Sequence, residues 1–440
     1  MTRCPRARSK STRCDPRNPA PPVTTEMGVA DFGARIFVAI RAASFRAGAA
    51  KVERNVRGAN SLDPCAPAAL NDAVRSQVQT SAPPRPHAIM KNSARLPFLV
   101  ALASVALTLH AEAAAKKMLV ITQSKGFTHN PVKRPAPDQL CLVEQTLNDI
   151  GRKSGLFETV NSQDSIAALT RENLAQFDAV FFYTTGVLLP AGDPREALTD
   201  FVKSGRAFLG AHSATDTFHG GGGFPGYVQM INGSFAGHPW NAGNTCSFVN
   251  HEPSHPTVKM FPAEFQWKDE IYQYNNYDPK TVRVLLSLDM SKTSPKMPYH
   301  VPVCWVREFG SGRLFYTNLG HNDATWKDAT FHEHLLAGFR WATKLDNGPA
   351  TPNPDVQAAE YVKGVAVVAA GAAKKDWQPI AAKAAKKSAD AAWFAKLVAD
   401  VEAWRKAPTP DAKKASPEEV QSAAAKKSDL LAALLAHLEK

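Results

Sequence analysis

What this sequence has little of narrows its function before any motif is read. Cysteine is scarce: the 440 residues hold six, with no CxxC spacing, so neither a cysteine metal knuckle nor a dense disulfide framework can be built. Only Cys141, Cys246 and Cys304 lie beyond the first quarter of the chain, an odd number with room for one bridge at most. Long apolar runs are missing too. The most continuous one, residues 96–109, is shorter than the roughly 20 residues that a membrane-spanning helix needs. Charge of one sign is absent where it would matter. The net charge is +12, yet residues 1–115 carry 16 Lys and Arg against 7 Asp and Glu, whereas residues 116–345 carry 22 against 21 and residues 346–440 carry 14 against 12. A basic surface draws a protein to nucleic acid or anionic membrane. Here the excess sits outside the candidate globular region, so no nucleic-acid partner is expected.

The first quarter has a reading of its own. Met90-Lys91-Asn92-Ser93-Ala94-Arg95 is a short cationic segment, followed by the apolar run 96–109 and by His110-Ala111-Glu112-Ala113-Ala114-Ala115, which offers a small-x-small cleavage site. That is the layout of a secretory signal. We read residues 90–115 as this signal, and residues 1–89 as a mis-called upstream extension or a disordered leader. The exported chain would then begin near Ala114 or Lys116 and be periplasmic or secreted, with no stable membrane insertion after cleavage.

From Lys116 the text changes character. Short apolar runs at 118–122, 157–160, 178–183 and 206–211 read as strands, and 138–152 and 194–203 have helical spacing. Strands alternating with helices of this length indicate βαβ units and a parallel sheet. Residues 246–320 are strand-rich, clearest at 282–288, 302–309 and 313–317, and 329–343 reads as a closing helix. We place an α/β domain over residues 116–345. The Ala/Lys-rich remainder, 346–440, is expected to be a helical tail, with periodicity at 374–405 and 417–439; Trp377, Trp393 and Trp404 imply that it packs on something.

In parallel sheets the crevice beyond the strands' carboxyl ends is the default ligand site, so the residues after each strand carry the functional expectation. They include Gly126-Phe127-Thr128-His129-Asn130, Thr184-Thr185-Gly186, His212-Ser213-Ala214-Thr215-Asp216, Gly237-His238-Pro239-Trp240, Lys268-Asp269-Glu270-Ile271-Tyr272 and Asn318-Leu319-Gly320-His321. Ten of the 13 histidines fall between His129 and His334. His129, His212, His238 and His321 have neighbouring Gly or Pro that let backbone approach a ligand closely, and we take them as pocket residues. His219, His251, His255, His300, His332 and His334 read as structural or solvent-facing. Gly210-Ala211-His212-Ser213-Ala214 has the form of a nucleophile elbow with imidazole at the apex. Ser213 stands one position late, which disfavours an acyl-enzyme. Imidazole there can act as general base, donor or metal ligand.

The same segments, with Pro302-x-x-Trp305 and Gly312-Arg313-x-Phe315-Tyr316-x-Asn318-Leu319-Gly320-His321, resemble the hallmarks of the ThuA-like (trehalose-utilisation) family over about residues 117–344. The resemblance implies a flavodoxin-like, class I glutamine-amidotransferase-like α/β fold: a central, mostly parallel sheet flanked by helices, with added strands and a helical C-terminal tail. It also implies a link to disaccharide catabolism. His212 stands where amidotransferase relatives keep a cysteine, and Cys141, in a predicted helix, does not replace it, so glutamine hydrolysis is not expected.

Three activities remain open. The first is proton transfer by His212 or Glu270 on a sugar, disaccharide or keto-glycoside, with His129, Asp216, His238 and His321 positioning hydroxyls and Trp240 and Tyr272 offering flat faces to a pyranose. The second is a metal-dependent hydrolase, with two or three of the histidines plus Glu270 or Asp216 holding a divalent ion such as Zn²⁺, the ligands converging from distant loops. The third is sugar binding without turnover.

Overall fold

Strands that are apolar on both faces must be covered on both, and that requirement organises the molecule. The structure, a computed structural model, describes residues 114–440 apart from 220–222 and 412. The leader and nearly all of the expected signal segment lie outside the described residues. Strand β1 (Lys116–Ile121) is followed by helix α1 (Leu142–Ser154), β2 (Phe157–Ser162), β3 (Ala179–Phe182), α2 (Asp193–Lys203), β4 (Ala207–Ala211) and α3 (Pro225–Ile231). Next come β5 (Ser234–Phe235), β6 (Thr245–Asn250), β7 (Glu264–Lys268), β8 (Tyr274–Asn275), β9 (Arg283–Leu288), β10 (Pro302–Phe309), β11 (Gly312–Thr317) and α4 (Ala329–Ala342).

Nine strands form one sheet in the order β2-β1-β3-β4-β11-β10-β9-β6-β7. The first five are parallel, with Met118 beside Ala179, Ala179 beside Ala207 and Ala207 beside Arg313. This is the flavodoxin-like order, with β11 as the fifth parallel strand. From β11 outward every pairing is antiparallel, so after four reversals β7 again points the way β11 does. Alternate residues feed opposite cores, as the pleat demands. Met118, Val120, Phe181, Leu209 and Phe315 lie in one cluster; Leu119, Val180, Phe182, Phe208 and Leu314 lie in the other.

Helix α1 begins later than its apolar spacing suggests. Pro131, Pro135 and Pro137 keep the approach irregular, and Glu144 turns back to accept the Cys141 backbone N–H at 3.0 Å. Cys141 is therefore the helix cap, buried and free of disulfide like Cys246 and Cys304.

The C-terminal region is four helices, α5 (Pro354–Ala372), α6 (Trp377–Ala385), α7 (Ala391–Lys406) and α8 (Pro417–Glu439). Their apolar side chains, among them Val362, Val365, Leu397 and Leu434, join the same core cluster as Leu285 and Val301. Helix α5 escapes a periodicity search because its polar residues, Asp355, Gln357, Glu360 and Lys363, lie in its first half and do not share one stripe. Gly364 lies so close to Tyr299 that a Cβ would sit 2.8 Å from its carbonyl oxygen, and Asn353 bonds both the N–H and the C=O of Val284, at 2.9 and 2.8 Å. Among the described residues no helix is long and apolar enough to cross a membrane.

Candidate active site

Four chain segments end at the same rim of the sheet, and each delivers one side chain. His129 follows β1, beside the point where strand order reverses between β1 and β3. His212 opens a short 3-10 turn, His212–Asp216, directly after β4. His321 follows β11 and Glu270 follows β7. One donor atom from each lies within 4.8 Å of the other three. His129, His212 and Glu270 are buried and His321 is half-buried.

His212 sits at φ +42°, a left-handed conformation that costs a side-chain-bearing residue free energy and persists only when its surroundings impose it. They do so here. The Tyr316 hydroxyl donates to the His212 carbonyl at 2.7 Å, and His212 Nδ1 lies 2.9 Å from the Asn318 carbonyl oxygen. A carbonyl can only accept, so Nδ1 carries the proton and the Nε2 lone pair faces the cluster.

The loop bearing His321 is pinned by a buried carboxylate. Asp269 accepts N–H bonds from Gly320 at 2.7 Å and Asn322 at 2.9 Å, and the Thr325 hydroxyl at 2.9 Å. The Gly320 carbonyl takes the Tyr183 hydroxyl and the Trp326 indole. Gly320 itself needs φ +122°, which glycine adopts readily.

The convergence is tight. His212 Nε2 lies 3.1 Å from His321 Nδ1 and 3.7 Å from Glu270 Oε1, and His321 Nδ1 lies 3.1 Å from that same oxygen. Donors placed about 2.0–2.1 Å from a tetrahedral Zn²⁺ stand roughly 3.3–3.4 Å apart, so this group could hold a metal ion. The three imidazoles form a near-equilateral triangle, with centroids 4.9, 5.0 and 5.1 Å apart and every pair within ten degrees of perpendicular. His129 Nε2 meets the Tyr272 hydroxyl at 3.1 Å, while its Nδ1 is buried with no hydrogen-bond partner. An orphaned buried nitrogen is costly, and a cation is one way to satisfy it.

The charges divide: a neutral His129 and an ionised Glu270 suit a cation, whereas a His321 that takes up a proton more readily suits a proton relay. Burial, then the neighbouring His212 and His321, push His129 down to about 2, so it stays neutral with its lone pair available. Burial alone would raise the Glu270 carboxyl, but His212 and His321 outweigh it and hold the group well below the carboxylate range. Burial opposes protonation of His321, yet Glu270 prevails and raises it.

The other expected site residues divide. His238 reaches the rim: its Nδ1 lies 3.3 Å from Glu270 Oε2, and its side chain is 40 % exposed. Asp216 is bound to His219 and adds no donor to the quartet. Trp240 cannot offer a face to a sugar. It is wholly buried in the core, its indole donating to the Pro295 carbonyl at 2.8 Å, because the chain after His238-Pro239 turns inward to pair with Ile271. Tyr272 is also no stacking platform. Its ring is wedged between His212, at 4.2 Å between centroids, and Phe235, at 4.4 Å, and only its hydroxyl serves the site.

Sequence reasoning placed Asp269 and Asn318 in the rim segments but assigned them no role, because their roles lie in bonds to distant parts of the chain. It also passed over His251-Glu252-Pro253-Ser254-His255, which has the letters of a helical zinc motif. Pro253 holds that segment in a turn, Glu252 is bound to Arg283, and His255 is bound to Thr257, so those three residues do not converge. A cavity of about 540 Å³ beside His219, lined also by Phe224, Asp278 and Arg307, includes none of the quartet.

The family described as trehalose utilisation (ThuA) matches residues 117–342. A ThuA-like protein of Bacteroides uniformis aligns with 56 % of this chain and 97 % of its own, at 21 % identity and a TM-score of 0.44. One of Parabacteroides merdae aligns with 56 % and 99 %, at 16 % identity and a TM-score of 0.42. No curated protein matches the chain.

Proposed function

Because the chain belongs to the trehalose-utilisation family, we propose that its rim cluster is the active site of an exported, divalent-metal-dependent enzyme that cleaves a bond in a small sugar, a disaccharide or keto-glycoside. One observation carries the metal part: the 3.1, 3.1 and 3.7 Å triangle of His212, His321 and Glu270 donor atoms, with a donor nitrogen of His129 within 4.8 Å of all three. The family's description supports the sugar. Three imidazoles and one carboxylate suit Zn²⁺ or a similar borderline ion better than Mg²⁺ or Ca²⁺, which prefer oxygen ligands. Such an ion would supply Lewis acidity to a sugar oxygen.

The chain's own residues do the rest. Asn318 fixes the His212 tautomer, and Asp269 holds the His321 loop in place. His238 faces both Glu270 and solvent, positioned to bond a substrate hydroxyl. Tyr272 orients His129 from below.

A second reading keeps the sugar and drops the ion. The His321–Glu270 contact at 3.1 Å, with the histidine shifted up and the carboxylate down, also suits a proton relay in which His212 or Glu270 is the base. Elemental analysis of the purified full chain separates the two, combined with turnover of trehalose and its oxidised keto form before and after chelation. About one equivalent of Zn²⁺ and activity restored by it support the first reading. Metal far below one equivalent with undiminished turnover would remove it.

A further inference from the structure

Trp240 is buried in the core and Tyr272 is wedged between His212 and Phe235, so neither offers a face to a sugar ring, and the structure supplies another. Phe127 is 66 % exposed, the highest value among the exposed large apolar side chains of the described residues. A single exposed apolar residue is ordinary on a protein surface and by itself means nothing. Two further observations set this one apart.

The first is position. The Phe127 ring meets His129 edge-on, with centroids 4.8 Å apart and planes at 81°, so it stands beside one member of the quartet. The second is rigidity. Exposed loop residues usually gain little from being held, yet residues 124–127 are clamped to the turn after β3. Lys125 N–H donates to the Thr185 carbonyl at 2.9 Å, Gly126 N–H to the Thr185 hydroxyl at 3.2 Å, and that hydroxyl donates to the Phe127 carbonyl at 2.9 Å. Gly186, at φ +74°, lets the two turns touch; a Cβ there would lie 2.7 Å from the Lys125 carbonyl carbon. The backbone presents the ring to solvent in one place.

We propose that Phe127 is the platform on which the pyranose ring of the substrate stacks, with its hydroxyls turned toward His238 and the quartet. This rests on the reading of the site as a sugar site and extends it to a residue. A pyranose has an apolar C–H face and a polar edge, and a flat apolar ring beside converging imidazole and carboxylate groups matches both. The small-molecule occupant follows from the scale of the feature: one exposed ring against His129 of the donor cluster, which matches a single sugar ring and not the roughly 800 Å² per partner of a stable protein interface.

The test is calorimetric titration of the full chain with trehalose and with methyl α-glucoside, alongside metal content and melting temperature. For Phe127→Ala the expected result is an affinity loss of about tenfold or more, with metal content and melting temperature unchanged. Phe127→Trp should stay within about threefold of the native chain. Equal affinity of native and Phe127→Ala chains would overturn the platform and leave the sugar reading intact. Absence of sugar binding by the native chain would overturn both. Loss of metal or of a concentration-dependent dimer in Phe127→Ala would assign the ring to structure or self-association instead, and would also overturn it.

Discussion

Two groups of buried and half-buried histidines offer a natural contrast. At the carboxyl rim, His129, His212 and His321 turn their nitrogens toward one another and toward Glu270. Along β9, His251 and His300 both turn Nε2 to the hydroxyl of Ser287, at 2.9 and 2.7 Å. In the second group each of these nitrogens already has its partner, and Ser287 is wholly buried. In the first, lone pairs converge and one nitrogen is left over. The density of histidine is similar in both groups. What separates a site from a structural network here is whether the hydrogen-bonding capacity closes on itself.

That contrast can be broken deliberately, beginning where the effect should be largest. His212→Ala or Glu270→Gln should lower turnover at least about 100-fold and cost the protein its metal, read by assay and elemental analysis; full activity in both variants would end the case for the rim. Chelation comes next. An ion that binds only the folded state stabilises it by about 2.7 kcal/mol at 100 times its Kd, so added Zn²⁺ should raise the melting temperature of the stripped protein, and should do so equally in His251→Ala. His300→Ala should cost about 0.5–1.5 kcal/mol in urea unfolding, the loss of one of the two hydrogen bonds at the Ser287 hydroxyl, which keeps His251, with turnover unaltered. Asp269→Asn tests the support beneath the rim. Losing the buried charge that holds Gly320 and Asn322 should weaken metal binding about 10–100-fold, measured by competition with a chelating dye, and an unchanged affinity would show the loop holds itself.

The smallest effect concerns pH. Burial pushes His251, His255 and His334 down to about 4, and burial together with His251 pushes His300 down to about 3. Their unfolded forms take up protons near 6.5 while the native forms stay neutral, so stability falls as pH drops from about 6.5 toward 4. Each group contributes on the order of 1–2 kcal/mol of loss by pH 5. His334→Leu should be less stable at pH 7, having left the Thr257 carbonyl without its 2.6 Å donor, but should show a shallower slope in urea midpoints between pH 7 and 5. An identical slope would mean that His334 titrates alike in both states.

Much of this was legible from the residues alone. The inner parallel strands β1, β3 and β4 announced themselves because their apolar runs are buried on both faces, and the chemistry was sought after their ends because chain direction in a parallel sheet sends every such loop to one rim. Other features were not legible. Helix α5 has no polar face to create a period. Trp240 reads as an exposed aromatic next to His238, and only the pairing of its strand with Ile271 turns it inward. The turn at His251–His255 spells a metal motif that Pro253 prevents from forming.

The succession of strands and helices along the chain and the residue types at the strand ends follow from local pattern, since period and turn chemistry act over a few residues. Which imidazoles meet was decided by tertiary structure. A donor is placed by bonds between segments far apart in the chain, 106 residues for His212 and the Asn318 carbonyl and 51 to 53 for the Asp269 carboxylate that holds the His321 loop, and no local spacing encodes an angle between lone pairs.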